Sequence, residues 1–353
     1  MAKKNTLDHK CPSCNAVLKF NPHGQNWVCE YCGSAFELKD LETKTEKLTK
    51  EPEEVKVYKD QDGMDVYSCP NCGAQIVATE EESATFCVYC RSTAILKNKL
   101  VGEFNPSYII PFRNTKEDAI AAFKSIGKGR PLMPSVFSDP KNINDMKGVY
   151  IPFWIYDYDV DGLVHIDAKR VTSHVSGGYQ VTKTDVYDCI REGKMSYTKV
   201  PVDGSTHFDD DIMDSIEPFD YNDLKEFTYS YLSGFLAEKY DVDGEQAKER
   251  AEFRTKNSTI DILKDDVKGY TSKNVSSSDI KCKQIKRDYI LIPVWMLNIK
   301  YKDKLYKFAM NGQTGKMVGN IPVDKKKAWI YFLSTLFGSF AILFLLFWML
   351  GWL

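Results

Sequence analysis

Apolar and polar positions follow different patterns along the chain, and residues 101–327 carry the pattern of a mixed α+β domain. Three runs rich in β-branched and aromatic residues predict strands, and each contains an Ile-Pro pair: Tyr108–Phe112, Val149–Tyr156 and Tyr289–Trp295. The second run continues as alternating positions to about Val186, with a turn predicted at Gly177-Gly178. Because proline cannot donate a ladder hydrogen bond, we expect each Ile-Pro pair at a sheet edge or bulge.

Helical spacing predicts three helices between these strands. Thr115 is a favoured N-cap residue, and the residues after it predict a helix that runs to Ile126. Residues 222–240 place apolar side chains three and four positions apart, which predicts a helix whose apolar stripe faces the core. Residues 246–267 predict a third helix that is much more highly charged.

The last segment, Ala328–Leu353, contains no charged side chain and predicts one transmembrane helix. As a helix it would be about 39 Å long, enough to cross a hydrocarbon core of about 30 Å with some tilt. Trp and Tyr residues lie near both of its ends, where the two membrane interfaces favour aromatic rings. Lysines beside a span stay in the cytoplasm, so Lys325–Lys327 predict a single-pass cell-membrane protein whose N-terminal bulk is cytoplasmic. The N-terminus has no apolar stretch, and we expect no signal peptide.

Composition excludes some classes of protein and adds an expectation about lipids. With 353 residues and 13% aromatic content, the chain is neither disordered nor collagen-like. Its formal net charge of −2 does not indicate a polyanion-binding protein. Near the predicted span the charge is different, because residues 298–327 hold eight lysines and two aspartates. We therefore expect anionic lipid headgroups to contact the lysines at the membrane, namely Lys325, Lys326 and Lys327.

Eight of the ten cysteines fall into two sets of identical spacing, Cys-x-x-Cys, fourteen residues, Cys-x-x-Cys. The first set is Cys11, Cys14, Cys29 and Cys32, and the second is Cys69, Cys72, Cys87 and Cys90. Two such knuckles joined by a hairpin place four thiolates at the corners of a tetrahedron, which is the arrangement that Zn²⁺ prefers. We predict two structural Zn²⁺ sites, and Asn15 and Gly33 stand at knuckle positions that favour a positive φ.

Other uses of these cysteines are less consistent with the pattern. A redox dithiol needs one Cys-x-x-Cys beside a βαβ unit, and disulfides are disfavoured by the predicted cytoplasmic location. A catalytic zinc needs an open coordination position, whereas four thiolates close it. We interpret His9 and His23 as bystanders, and Cys189 and Cys282 as ordinary buried thiols.

The predicted organisation is two small β zinc ribbons, an α+β domain and one transmembrane helix. The boundaries are ribbon 1 at 1–40, a charged linker at 41–64, ribbon 2 at 65–100, the α+β domain at 101–327 and the anchor at 328–353. Within ribbon 2, we expect Ile76 and Val77 to pair with Thr85 and Phe86 across an acidic turn. We also expect the linker to let the ribbons move apart, with both ribbons free of the membrane-proximal domain.

Tandem four-cysteine ribbons that each open with Cys-Pro-x-Cys resemble bacterial TFIIB-type zinc-ribbon proteins; here these motifs are Cys11–Cys14 and Cys69–Cys72. The long middle domain and single C-terminal span are similar to the membrane-bound members of that group. Those members are associated with SPFH-domain (flotillin-like) proteins and with phage-shock-type envelope stress. The resemblance implies a membrane anchor that recruits such a partner in a stress response.

Charge favours a protein partner over nucleic acid. In both ribbons acidic residues outnumber lysines and arginines, and each Zn(Cys)₄ centre adds about −2. Phosphate binding needs clustered basic residues, which neither ribbon offers. Exposed aromatic residues such as Tyr31 and Tyr89 could pad the zinc core, contact a protein or stack on bases. A membrane-tethered nucleic-acid binder therefore remains the alternative to a membrane-anchored adaptor.

The sequence does not favour an enzyme. It contains no Gly-rich phosphate loop, no Gly-x-Ser-x-Gly and no His-Glu-x-x-His motif. His165, His174 and His207 do not neighbour a nucleophile motif. The acidic residues Asp209–Asp211 and Asp214 are interpreted as a solvated loop, with a divalent cation or a basic partner as the alternative ligand.

Overall fold

The computed structural model describes residues 6–7, 10–45, 58–59, 65–68, 75–78, 82–86, 93–96 and 104–349. The strands are β1 (Thr6–Leu7), β2 (Leu18–Asn21), β3 (Asn26–Cys29), β4 (Ala35–Phe36), β5 (Tyr58–Lys59), β6 (Asp65–Ser68), β7 (Gln75–Ala78), β8 (Glu82–Phe86), β9 (Thr93–Leu96), β10 (Tyr108–Ile109), β11 (Lys147–Ser176), β12 (Tyr179–Asp203), β13 (Lys225–Glu226), β14 (Leu236–Glu238), β15 (Ser272–Tyr301), β16 (Lys304–Asn311) and β17 (Met317–Gly319). The α-helices are α1 (Leu38–Thr45), α2 (Lys116–Gly127), α3 (Pro140–Ile143), α4 (Asp210–Ile216), α5 (Gln246–Asp266) and α6 (Lys325–Met349). The predicted mixed α+β class is confirmed.

Within the described residues, one sheet of eleven strands forms the frame of the molecule, and it is built on three very long strands. β11 and β15 contain 30 residues each, and β12 contains 25. β11 lies between the other two and is antiparallel to both. At about 3.3 Å per residue, β11 extends for about 100 Å. Its first half is mostly buried, whereas residues 170–184, around the turn predicted at Gly177-Gly178, are exposed.

The three Ile-Pro runs lie side by side, because β10, β15 and β11 are neighbours in the sheet. Pro152 and Pro293 lie inside the long strands, so the predicted position at a sheet edge or bulge is wrong for both. The Pro152 carbonyl accepts a hydrogen bond from the Gly204 N–H, and the Pro293 carbonyl accepts one from the Gly312 N–H. Each of these carbonyls therefore faces the glycine that donates to it. In a strand, the N–H and C=O of one residue face the same side. Each proline therefore lies where two shorter strands pair with the same side of its own strand and leave a position between them unpaired. No ladder N–H is needed at that position.

The first and third predicted helices are confirmed. α2 begins with a capping box, in which the Thr115 hydroxyl accepts from the Asp118 N–H and the Asp118 carboxylate accepts from the Thr115 N–H. α5 packs along the three long strands, and its buried positions repeat every four residues. They are Ala247, Ala251, Thr255, Thr259 and Leu263.

The helix predicted at residues 222–240 is wrong. This segment forms two single 3₁₀ turns and the short strands β13 and β14. Its apolar side chains Tyr231, Leu232 and Phe235 are buried as expected, but Gly234 has φ +94° and turns the chain between Leu232 and Phe235. The strand pairing of β13 with β10 and of β14 with β11 and β8 replaces helical hydrogen bonds.

The C-terminal helix α6 is the one described helix that is long and apolar enough to cross a membrane. It contains 25 residues, and none of its side chains is buried against the rest of the protein. A soluble core helix would be covered on at least one face, so α6 leaves the globular part with its apolar surface unburied.

Candidate metal centre

The first four cysteines lie in a small N-terminal module, residues 10–36, which contains the three-stranded sheet β2–β3–β4. Cys11 and Cys14 occupy one turn, while Cys29 ends β3 and Cys32 follows in a second turn. These four residues are one group of potential metal ligands, which we call the cysteine cluster.

The two turns of the module have matching hydrogen bonds. The N–H of Asn15 donates to the Cys11 carbonyl, and the N–H of Gly33 donates to the Cys29 carbonyl. Asn15 has φ +63° and Gly33 has φ +73°, which confirms the left-handed conformation predicted at both positions. The turns therefore present their sulfurs toward a common point, as zinc knuckles do.

The distances between the sulfurs fit the tetrahedral coordination of a metal ion. Cys11 Sγ lies 3.6 Å from Cys32 Sγ, and Cys14 Sγ lies 3.4 Å from Cys29 Sγ. All four sulfurs lie within 4.8 Å of one another. With Zn–S bonds of about 2.3 Å, the edges of a ZnS₄ tetrahedron are about 3.8 Å long. The cysteine cluster could therefore hold one metal ion without rearrangement of its backbone.

The surroundings of the cluster differ from one sulfur to another. Cys11 and Cys29 are buried, while Cys32 is exposed. The Ser34 hydroxyl lies 3.3 Å from Cys32 Sγ, and this hydroxyl together with the Ser34 N–H lowers the pKa of Cys32 to about 6. A thiolate is the form that coordinates metals, so these hydrogen bonds favour ligation by Cys32. The Ala16 backbone lowers the pKa of Cys14, but burial and hydrogen bonds with the other cysteines raise it to about 12.

The cysteine module packs directly on the α+β domain, contrary to the expectation that the ribbons are free of it. Phe20 and Trp27, paired across β2 and β3, are both buried. The Phe20 and Trp27 ring centroids lie 5.4 and 5.3 Å from that of Tyr231, and the Phe20 centroid lies 6.5 Å from that of Phe235. Trp27 Nε1 also donates to the Ser230 carbonyl at 2.8 Å.

Polar contacts extend this interface to helix α2. His23 Nε2 lies 2.7 Å from the Asp118 carboxylate, in the capping box of α2. Gln25 Nε2 donates to the Phe112 carbonyl at 2.8 Å. His23 is therefore not among the four residues of the cysteine cluster, and it joins the module to helix α2. The signal that the sequence did carry was the aromatic pair Phe20 and Trp27, which is too large for so small a module to bury by itself.

The second cysteine set, Cys69, Cys72, Cys87 and Cys90, lies outside the described residues, and so does Tyr89. The strands beside it do not pair as predicted. β7 pairs with β6, and β8 pairs with β9 and with β14 of the main sheet. Ile76 and Thr85 are therefore not in one hairpin, and part of the predicted second ribbon is continuous with the main sheet.

The acidic residues interpreted as a loop or cation site lie at the start of helix α4 and within it, and arginines pair with two of them, Asp210 and Asp214. Arg250 forms ion pairs with Asp203, Asp210 and Asp214, and Arg254 forms them with Asp214 and Glu217. Lys307 lies 3.0 Å from Asp209. These contacts give the carboxylates a structural role between α4 and α5.

The other predicted side chains remain apart from the cysteine cluster. Cys189 and Cys282 are half-buried and lie on different long strands, β12 and β15. His165 Nδ1 lies 3.6 Å from Asp188 on the sheet surface, and His207 Nδ1 lies 3.5 Å from the Ser205 hydroxyl and from Glu238.

The chain is similar to the protein YdjG of Bacillus subtilis (strain 168), which is itself uncharacterized. The two are 34% identical over 345 residues, a match that covers 98% of each chain. No family model matches the sequence, and no solved structure matches it. The similarity therefore extends from the cysteine module through the α+β domain to the apolar helix.

Proposed function

This chain belongs to the family of the Bacillus subtilis protein YdjG, and we propose that it is a membrane-anchored zinc-binding adaptor that recruits a protein partner. The single observation that carries the proposal is the joining of two features in one packed unit. The module with four sulfurs at the spacing of a ZnS₄ site is packed on the α+β domain, and that domain continues into an exposed apolar helix. An adaptor needs such a unit, because it must hold a recognition module at a fixed place on the membrane.

In this proposal α6 crosses the cell membrane once, and the N-terminal bulk of the protein is cytoplasmic. The cysteine cluster holds one structural Zn²⁺, and Cys69, Cys72, Cys87 and Cys90 hold a second. The zinc ions supply folding free energy and do no chemistry, because four thiolates leave no open position. The partner is a cytoplasmic protein, and the resemblance to zinc-ribbon membrane proteins favours an SPFH-domain protein in an envelope-stress system.

The partner-binding surface is proposed around Tyr31, at the second turn of the cysteine module. Its side chain is 84% exposed, directly before the zinc ligand Cys32. The inner side of the module, at Trp27, is already occupied by the α+β domain. Aromatic side chains held by a rigid turn are frequent anchors in protein interfaces.

Affinity capture of the full chain from solubilised membranes tests this function. We expect Tyr31→Ala to lose the partner and Tyr179→Ala to retain it, because Tyr179 is 78% exposed but lies at the far hairpin. Equal capture by both variants would contradict the proposed surface. Capture that disappears on nuclease treatment would instead support the nucleic-acid alternative. Metal analysis of the same samples should give two zinc ions per chain.

A further inference from the structure

We propose that two loops of the α+β domain form, with the start of α6, a basic collar that binds anionic phospholipid headgroups. The collar consists of Lys128, Arg130, Lys302 and Lys304, together with Lys325–Lys327 of α6. This inference rests on the proposed membrane anchor and deepens it, because it states which face of the domain lies on the bilayer and which lipids it contacts.

The first loop, residues 128–134, is attached to the first turn of α6. The Asp324 N–H donates to the Leu132 carbonyl at 2.8 Å, and Lys327 Nζ donates to the Met133 carbonyl at 2.7 Å. These bonds hold the loop where α6 leaves the domain. Lys128 and Arg130, both exposed, are therefore placed at the level of the membrane interface, although they lie some two hundred residues earlier in the chain.

The second loop is the turn that connects β15 with β16. The Phe137 ring follows the first loop and packs on Tyr301 and Tyr306, with centroid distances of 6.0 and 5.5 Å. Lys302 interacts electrostatically with Asp324, which directly precedes α6. The exposed side chains of Lys302 and Lys304 therefore lie beside the same helix end as Lys128 and Arg130.

The charges of the collar are not neutralised by carboxylates at salt-bridge distance within the described residues. Seven basic side chains stand against two aspartates, Asp303 and Asp324. Within the described part of the chain, none of the seven forms a salt bridge, whereas lysines elsewhere on the sheet do, such as Lys194 with Asp161. Leu305 and Val323 beside the collar are 56% and 59% exposed, so apolar surface accompanies the charge.

A lipid surface is the occupant that this combination fits. Basic residues next to a span attract anionic headgroups, and exposed apolar side chains at the same level can enter the interface. The proposed anchor also holds the collar at the level of the lipid headgroups, so lipids contact it without a separate binding step. An acidic protein would have to reach a surface that faces the bilayer.

Electron spin resonance of the full chain in vesicles provides the test, with spin-labelled phosphatidylglycerol and phosphatidylcholine as probes. The ratio of their association constants measures the preference for the anionic headgroup. The collar variant combines four charge-neutralising substitutions outside α6: Lys128→Gln, Arg130→Gln, Lys302→Gln and Lys304→Gln. The matched control neutralises four exposed lysines on the distant part of the molecule: Lys169→Gln, Lys268→Gln, Lys281→Gln and Lys283→Gln.

We expect the wild-type chain to prefer phosphatidylglycerol and the collar variant to lose at least about fivefold of that preference, because each of the four removed basic side chains can contribute about that factor at an anionic surface. The control variant should keep it. No preference in the wild-type chain, or equal losses in both variants, would overturn the inference while leaving the anchor intact. Release of the wild-type chain from vesicles by alkaline extraction would overturn the anchor and the collar together.

Discussion

At the residue scale, the buried carboxylate of Asp203 shows how the domain manages charge. It ends strand β12, its side chain is 3% exposed, and Arg250 is its ion-pair partner. Burial raises the pKa of Asp203 to about 6, although the charge of Arg250 acts in the opposite direction. The ion pair joins β12 to α5, and the charge of Arg250 compensates part of the cost of burying the Asp203 carboxylate.

Replacing Arg250 with Met should destabilise the protein by about 3 kcal/mol at neutral pH, because it leaves a buried carboxylate unpaired. The folded pKa of Asp203 lies above its ordinary value near 3.8, so its contribution to stability is present below that value and is lost as the pH rises through about 6. The deficit of Arg250→Met should therefore be smaller at about pH 5 than at about pH 7.5.

Thermal unfolding in detergent, followed by circular dichroism, measures both effects. The matched control adds Asp203→Asn to Arg250→Met, which removes the unpaired charge and should recover most of the loss. A deficit that does not change with pH, or that persists in the double variant, would assign the loss to side-chain packing of Arg250.

The acidic residues of α4 could be identified from the sequence, but their ion-pair partners could not. Their clustering was visible, but their partners Arg250 and Arg254 lie about forty residues later, on α5. Nothing in the local sequence connects the two helices. The sequence near Asp210 therefore does not distinguish a cation site from carboxylates that pair with distant arginines.

At the element scale, the proposed function gives the cysteine module two supports, a bound zinc ion and its contact with the α+β domain. Its knuckles follow from cysteine spacing and from Asn15 and Gly33, so the sequence was sufficient to predict them. The surface on which it docks was not predictable, because Tyr231 and Phe235 belong to a segment that the helical period assigned to the wrong element. Strand pairing with distant parts of the chain decided that segment, and the positive φ of Gly234 interrupts the helical period.

The substitution Cys29→Ser should remove one zinc ion per chain and also loosen the α+β domain. Loss of the metal removes folding free energy from the module, and Trp27 and Phe20 then no longer cover Tyr231. We expect one zinc fewer by metal analysis and faster hydrogen exchange at residues 229–235. Cys189→Ser on the long strand β12 is the control, and it should retain both properties. Normal exchange at 229–235 after zinc loss would mean that the docked module is held without metal.

At the scale of the whole molecule, the long strands separate the two ends of the protein. β15 ends at Tyr301, beside the start of α6, and its first residue, Ser272, pairs with Lys169 far along β11. Beyond that pair, β11 and β12 are the strands of the described sheet that continue, as a hairpin exposed on both faces. Alternating residues predicted this hairpin, but the sequence did not reveal the length of the sheet, which depends on the register between strands that are distant in sequence.

We expect helix α6, the proposed anchor, to be dispensable for folding. α6 buries none of its side chains, and its first turn is joined to the domain through Asp324 and Lys327. A chain that ends at Lys327 keeps both contacts and loses only the apolar segment. We expect it to be released from the membrane, to keep its zinc content and to unfold at the same temperature as the detergent-solubilised full chain. Membrane fractionation with high-salt washing, metal analysis and thermal melting measure the three outcomes. If the truncated chain melted at a lower temperature or stayed with the membrane, α6 would be part of the fold and not only its attachment.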